Sequence, residues 1–229
     1  MKIQIVYFLV ITGIFFSSCG KKSNTVSLNS DYAYFPVNVG HEIIYDVDSI
    51  YKSDFTHHTD TFHFQIKELI ESTFTDNEGR QTLRLERYKR LNETHPWEIY
   101  KVWTANLTST NAEKKEDNIN FIKLVFSIAL NKKWNGNAKN DLDDLEYKYS
   151  SANVKEQFNG FIFDSTLTVL QNDFDDTFTK KDFEVEKYST GVGMFYKEKF
   201  IGQYKYPVDS LDPYSTYVSY KEKLIAFNN

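Results

Sequence analysis

The chain has 229 residues, of which 17% are aromatic, and a formal net charge of −5. Acidic and basic residues are mixed along it rather than blocked, which excludes the basic stripe that nucleic-acid binding requires. A single cysteine, Cys19, excludes any disulfide within the chain.

Lys2 precedes an apolar run from Ile3 to Phe16, broken only by Gln4, Thr12 and Gly13. The run is short of the roughly 20 apolar residues that span a bilayer, and with its small residues at 17 and 18 it has a signal-peptide layout. Ser17-Ser18-Cys19 resembles a bacterial lipobox, with Phe16 where that pattern prefers Leu, Val or Ile. The resemblance implies diacylglyceryl attachment at Cys19 and removal of residues 1–18. An ordinary secretory signal cut nearby and an uncleaved anchor are the competing readings. Two or more acyl chains hold a protein stably at a membrane. Residues 19–33, polar and without periodicity at least to Asp31, read as a lipidated tether, and residues 34–229 as one domain.

Ile43, Tyr45 and Val47 alternate with polar residues, and Phe62, Phe64 and Ile66 do the same, the period-two mark of strands with one wet face. Asn77-Glu78-Gly79-Arg80 is a turn before Leu83 and Leu85 resume the alternation. Trp97 to Leu107 is a further strand. Ile119 to Leu130 is a short apolar run that periodicity alone does not assign, although Ile122, Leu124, Phe126 and Ile128 favour a strand. Trp134-Asn135-Gly136-Asn137 marks a turn. Asn159-Gly160 between two strand-like runs is a hairpin signal, with Phe161, Phe163, Leu167 and Val169 on one face. Gly191-Val192-Gly193 divides Phe183–Tyr188 from Met194–Phe200, and Tyr214 to Phe227 ends the series. About ten strands at short spacing, with no long helical pattern, predict an all-β, antiparallel domain after the signal helix. A curved sheet or open barrel is preferred over a sandwich.

The segments YFPVNVGHEIIYDVDSI (34–50), KLVFSIALNKKWNGNAKND (123–141), EQFNGFIFDSTLTVLQND (156–173) and KYSTGVGMFYKE (187–198) together resemble a family of envelope lipoproteins common in Bacteroidota. The chain departs from that pattern at Ile43 (usually Trp), Ser127 (usually Pro) and Asn131 (usually Gly), and keeps Trp134, Asn135 and Gly136. The resemblance implies a lipid-anchored, extracytoplasmic β domain and brings no catalytic residues.

Candidate chemistry is sparse. His57, His58, Asp60 and His63 form the most metal-like cluster, but on a strand His57 and His63 lie about 20 Å apart, so no metal site and no cofactor is expected. The acidic runs Asp141-Leu142-Asp143-Asp144 and Asp173-Phe174-Asp175-Asp176 lack the glycine and distal glutamate of a calcium loop and read as solvated turns. Gly191-Val192-Gly193 lacks the third glycine of a dinucleotide site. Asp48-Ser49-Ile50, Asp164-Ser165-Thr166 and Asp209-Ser210-Leu211 match a short O-glycosylation pattern of Bacteroidota, with Ser210 the accessible candidate. The aromatic content reads as a β core with tyrosines at its rim, or as a concave aromatic surface for a sugar or lipid.

These features lead to a non-enzymatic lipoprotein of the cell envelope that binds a partner protein or an apolar or glycan ligand. A structural or assembly component of an outer-membrane complex is the alternative, and an envelope glycan hydrolase a third reading. Gly20 in place of a retention aspartate, and Lys21-Lys22 in place of an acidic export cluster, favour the periplasmic face of the outer membrane.

Overall fold

Twelve strands follow a single helical turn in the computed structural model, which describes residues 29–209 and 211–228. The turn α1 (Asn29–Tyr32) leads into β1 (Glu42–Ser53), β2 (His58–Thr75), β3 (Gln81–Arg90), β4 (Glu98–Leu107), β5 (Asn111–Glu116) and β6 (Ile119–Val125). The second half comprises β7 (Lys133–Asn135), β8 (Glu146–Phe158), β9 (Phe161–Asp176), β10 (Lys180–Ser189), β11 (Gly193–Tyr204) and β12 (Tyr214–Asn228). All pairs are antiparallel, in the order β6-β5-β4-β3-β2-β1-β12-β11-β10-β9-β8-β7. The sheet curls into a nearly closed barrel and, among the described residues, the only break in its ladder lies between β6 and β7. The expected all-β class and open-barrel form are therefore what the chain adopts.

The hairpins follow from local chemistry. Asn159 and Gly160 both have positive φ, 47° and 86°, the conformation of a type I′ turn that suits the twist of the flanking strands. Gly79 (φ 76°) and Gly191 (φ 76°) turn their hairpins in the same left-handed region, where a Cβ is strained. In β1 the expected face points inward, with Ile43, Tyr45 and Val47 buried, and Leu83 and Leu85 do likewise in β3.

Three expectations need correction. The strand expected over 119–130 ends at Val125, and the chain then turns, with Asn131 at φ 64°. Trp134 and Asn135, expected in a turn, form the short strand β7, and the turn begins at Gly136. The tether expected to run to residue 33 is already part of the body at its end. Tyr32 packs edge-on against Phe126 at 4.7 Å, Ile128 N donates to Asp31 Oδ2 at 2.8 Å, and Gly191 N donates to Ala33 O at 2.8 Å. The cause is Tyr34, buried in the core, whose hydroxyl bonds Asn153 Oδ1 at 2.9 Å and Ser165 Oγ at 2.7 Å. The signal segment 1–18 lies outside the described residues.

One strand had no expectation at all. β5, NAEKKE, carries charge on both faces, yet Ala112, Glu113 and Lys114 are all buried.

Candidate functional site

Inward positions of the barrel are unusually polar. Lys123 Nζ donates to Glu186 Oε1 at 2.8 Å and lies 3.0 Å from Glu116, while Lys197 lies 3.1 Å from Glu186. A second group joins Arg87 to Glu222 at 2.5 Å, and Lys114 to Glu68 at 2.7 Å. Burial alone would raise the carboxyls of Glu116, Glu186 and Glu222. The nearby cations outweigh it and hold all three below the usual glutamate range, Glu186 at about 2. Burial would likewise lower Lys123 and Lys197, and their carboxylate partners instead push both up. Glu116, Glu186, Glu222, Lys123 and Lys197 are therefore ionised and paired at neutral pH.

With its lumen filled in this way, the barrel encloses a cavity of only about 50 Å³, between Ile43, Leu83 and Leu85 on one side and Glu116, Lys123 and Glu186 on the other. Drug-sized ligands occupy pockets of roughly 300–1,000 Å³, so the closed lumen has room for water and little else.

Two larger concavities lie elsewhere. One, about 780 Å³, runs between the β2–β3 hairpin and the 138–142 loop across β4 and the β5–β6 turn. Its walls are braced by internal bonds. Asp76 accepts from the backbone N of Arg80 and of Glu78, from Arg80 Nε (each 2.9 Å) and from Thr82 Oγ1 (3.1 Å). These bonds, the Arg80 backbone first, hold its carboxyl at about 2. Beneath the groove Glu113, 1% exposed, accepts from Lys139 at 2.6 Å and from Arg80 and Asn120 at 3.3 Å each. Asn77, Lys115 and Asn118 line the groove with side chains unpartnered among the described residues. Phe74, Val102 and Leu142 give it an exposed apolar rim. Among the described residues, neither histidine nor cysteine lines it. A carboxyl as acidic as Asp76 is a poor proton donor near neutrality.

The other concavity, about 690 Å³, has an apolar floor of Phe158, Leu170, Phe183, Val185 and Tyr196. Its lysines are already held. Lys187 bonds Glu156 and Lys223 bonds Asp48, each at 2.6 Å, and Lys221 lies 2.9 Å from Glu198. A concave aromatic surface thus exists, on a different part of the chain from the polar groove.

The residues singled out from sequence are dispersed. Cys19 and Ser210 lie outside the described residues. His58 Nε2 sits 2.7 Å from Asp60 and His63 Nδ1 2.5 Å from Asp48, and among the described residues no group of three or more His, Cys, Asp or Glu is placed to hold a metal. Asp143 and Asp144 cap the 136–145 loop through Asn137 and Asn135, and Asp175 bonds Lys181 and Tyr204. Ser165 is bonded to Tyr34 and Ser49 is paired within the sheet, so neither presents a free hydroxyl on a loop. Sequence reading missed the lumen charges. Their signal is charge at alternate strand positions, Glu184 and Glu186 facing Lys199 and Lys197 across the β10–β11 ladder.

No protein-family model matches the chain, and a search of curated proteins returns no match. Among solved structures the chain is similar to one from Bacteroides fragilis, described as inferred to be an exported protein with a YmcC-like fold. The TM-score is 0.46 at 9% identity, over 85% of this chain and 98% of that one.

Proposed function

We propose that the chain is a non-enzymatic protein of the cell envelope, held by lipid at Cys19, that binds a hydroxyl-rich ligand of the glycan class in the groove between the β2–β3 hairpin and the 138–142 loop. The observation that carries this reading is the contrast between about 780 Å³ of braced, amide-bearing groove and a lumen of about 50 Å³. Sugars offer hydroxyls to amide and ammonium groups such as Asn77, Asn118 and Lys115, and apolar faces to an aromatic rim such as Phe74. The N-terminal stretch up to Cys19 supports the anchor, and the residues after it favour the periplasmic face of the outer membrane.

Native mass spectrometry and calorimetry of a form lacking residues 1–19, titrated with soluble envelope glycans, test the reading. Binding that Phe74→Ala weakens about tenfold or more supports it. A protein that binds no glycan, or binds equally well without Phe74, overturns it.

A second reading, docking to a protein of an outer-membrane complex, draws on Phe55, Phe178 and Tyr206, which stand almost fully exposed on three hairpin connections. Loss of a defined envelope complex on deletion of the gene would favour it.

A further inference from the structure

Every neighbouring pair of strands from β6 round through β1 and β12 to β7 is joined by a backbone ladder, and β6 and β7 are not. What crosses that seam is mostly side chain. Ile122 N donates to Gly136 O at 2.9 Å as a lone backbone bond. Trp134 Nε1 donates to Ile122 O at 2.9 Å, Tyr149 Oη bonds Val125 N and O at 2.9 and 3.0 Å, and Asn140 Nδ2 reaches Asn120 O at 2.9 Å. A line of separate side-chain bonds lacks the cooperativity of a ladder, in which each pairing orders the next.

The lumen charges bear on this line unequally. Lys123 stands on β6 and Glu116 precedes it on the same side of the seam, whereas Glu186 and Lys197 stand on β10 and β11, beyond it. Two contacts therefore span the seam as chords through the barrel, Lys123 to Glu186 at 2.8 Å and Lys197 to Glu116 at 3.8 Å, and the pairs Lys123–Glu116 and Lys197–Glu186 tie each side together. Arg87 on β3 and Glu222 on β12 are equally buried, but the route between them runs through β2 and β1, all laddered. Only the first group has a closing role.

We propose that the β6/β7 seam is a lateral gate into the lumen and that Lys123, Glu116, Glu186 and Lys197 form its latch. Opening there separates β6 from Trp134 and Tyr149 and uncovers the inward wall of Ala112, Leu124, Tyr147 and Leu167, which the closed barrel hides. This role does not depend on the outer groove and stands whether or not a glycan binds there.

Hydrogen exchange on the folded domain reads the gate directly, with two matched variants, Glu186→Gln and Glu222→Gln. Each breaks a buried ion pair with little change of shape; the first removes two ion pairs of the latch, whereas Glu222 makes none with it and acts on Lys197 only through space. Glu186→Gln is expected to raise exchange of the β6 and 133–149 amides about tenfold or more, leaving β1, β2 and β12 near their original rates. Glu222→Gln is expected to produce no such selective rise. Uniform acceleration in both variants, or the same pattern in both, overturns the proposal. Should Glu186→Gln fail to fold, Asn120→Cys with Asn140→Cys, joined by a short bifunctional thiol reagent, gives the converse reading. Cross-linked protein must exchange more slowly than unlinked protein at β6 and 133–149, and equal rates overturn the gate.

Discussion

Arg87 and Glu222 belong to strands separated by two others in the sheet, yet their side chains meet inside the barrel at 2.5 Å, with the guanidinium 4.2 Å over the ring of Trp103. Both are almost completely buried; Arg87 also lies 3.5 Å from Glu68 and Glu222 also accepts from Tyr220 at 2.6 Å, but each is the other's nearest charge partner. Arg87→Met alone strands Glu222 and is expected to cost about 3–5 kcal/mol, whereas Arg87→Met with Glu222→Leu is expected to recover most of that loss. Urea titration of the single and double variants gives the comparison; equal destabilisation in both would contradict it.

Acid stability follows from the lumen carboxylates. The folded pKa of Glu186, about 2, lies below its ordinary value of 4.5, so its contribution is complete above that ordinary value and is lost as pH falls towards 2. Glu116 and Glu222 are shifted in the same direction. The barrel is therefore expected to keep its near-ultraviolet dichroism at pH 4 and to lose it on approach to pH 2. A transition centred between pH 5 and 6 would mean that other groups govern acid unfolding.

Gly136 opens the turn after β7, and a Cβ there would collide with the ring of Tyr147, itself buried. Gly136→Ala is expected to destabilise by about 1–3 kcal/mol, the usual range for overpacking. Pairing it with Tyr147→Leu should restore part of the loss in thermal or urea unfolding, because the ring is the obstacle.

Asn159 joins a left-handed turn to a tertiary bond, its Nδ2 donating to Leu224 O at 2.7 Å. Asn159→Ala removes that bond and places a less suited residue at φ 47°, with an expected cost of about 1–2 kcal/mol. Asn159→Gly keeps the turn and loses only the bond, and so should cost less by the same measurement.

Membrane attachment is expected to depend on one thiol. Cys19→Ala should abolish acyl labelling and move the protein to the soluble fraction, and unchanged labelling would refute lipidation.

Strands that bury apolar residues at alternate positions were legible from the sequence, β1 and β3 most plainly. β5 was not, because Lys114 and Glu116 point to the lumen and their burial depends on partners on β2, β6 and β11. Hydrophobic periodicity is blind to a strand whose inward residues are ionised and paired. The 126–131 segment shows the opposite failure, apolar residues in a turn whose form is marked by Asn131, a residue that tolerates positive φ. The groove was illegible for a different reason. Arg80, Glu113 and Lys139 come from separate connections and strands, and only the curl of the sheet brings them together.

The pairing of Glu42 with Asn228 sets the two ends of the barrel's chain side by side, while the ladder's break falls in mid-sequence. Folding must therefore close its longest loop to form β1–β12, one of the most extensively paired junctions in the sheet, and non-local pairing of this kind slows folding. A circular permutant, with those ends linked and new ends opened within 127–131, would run in order from β7 through β12 and β1 to β6. Each strand would then pair with its immediate successor, and the rearranged chain should reach the same barrel faster.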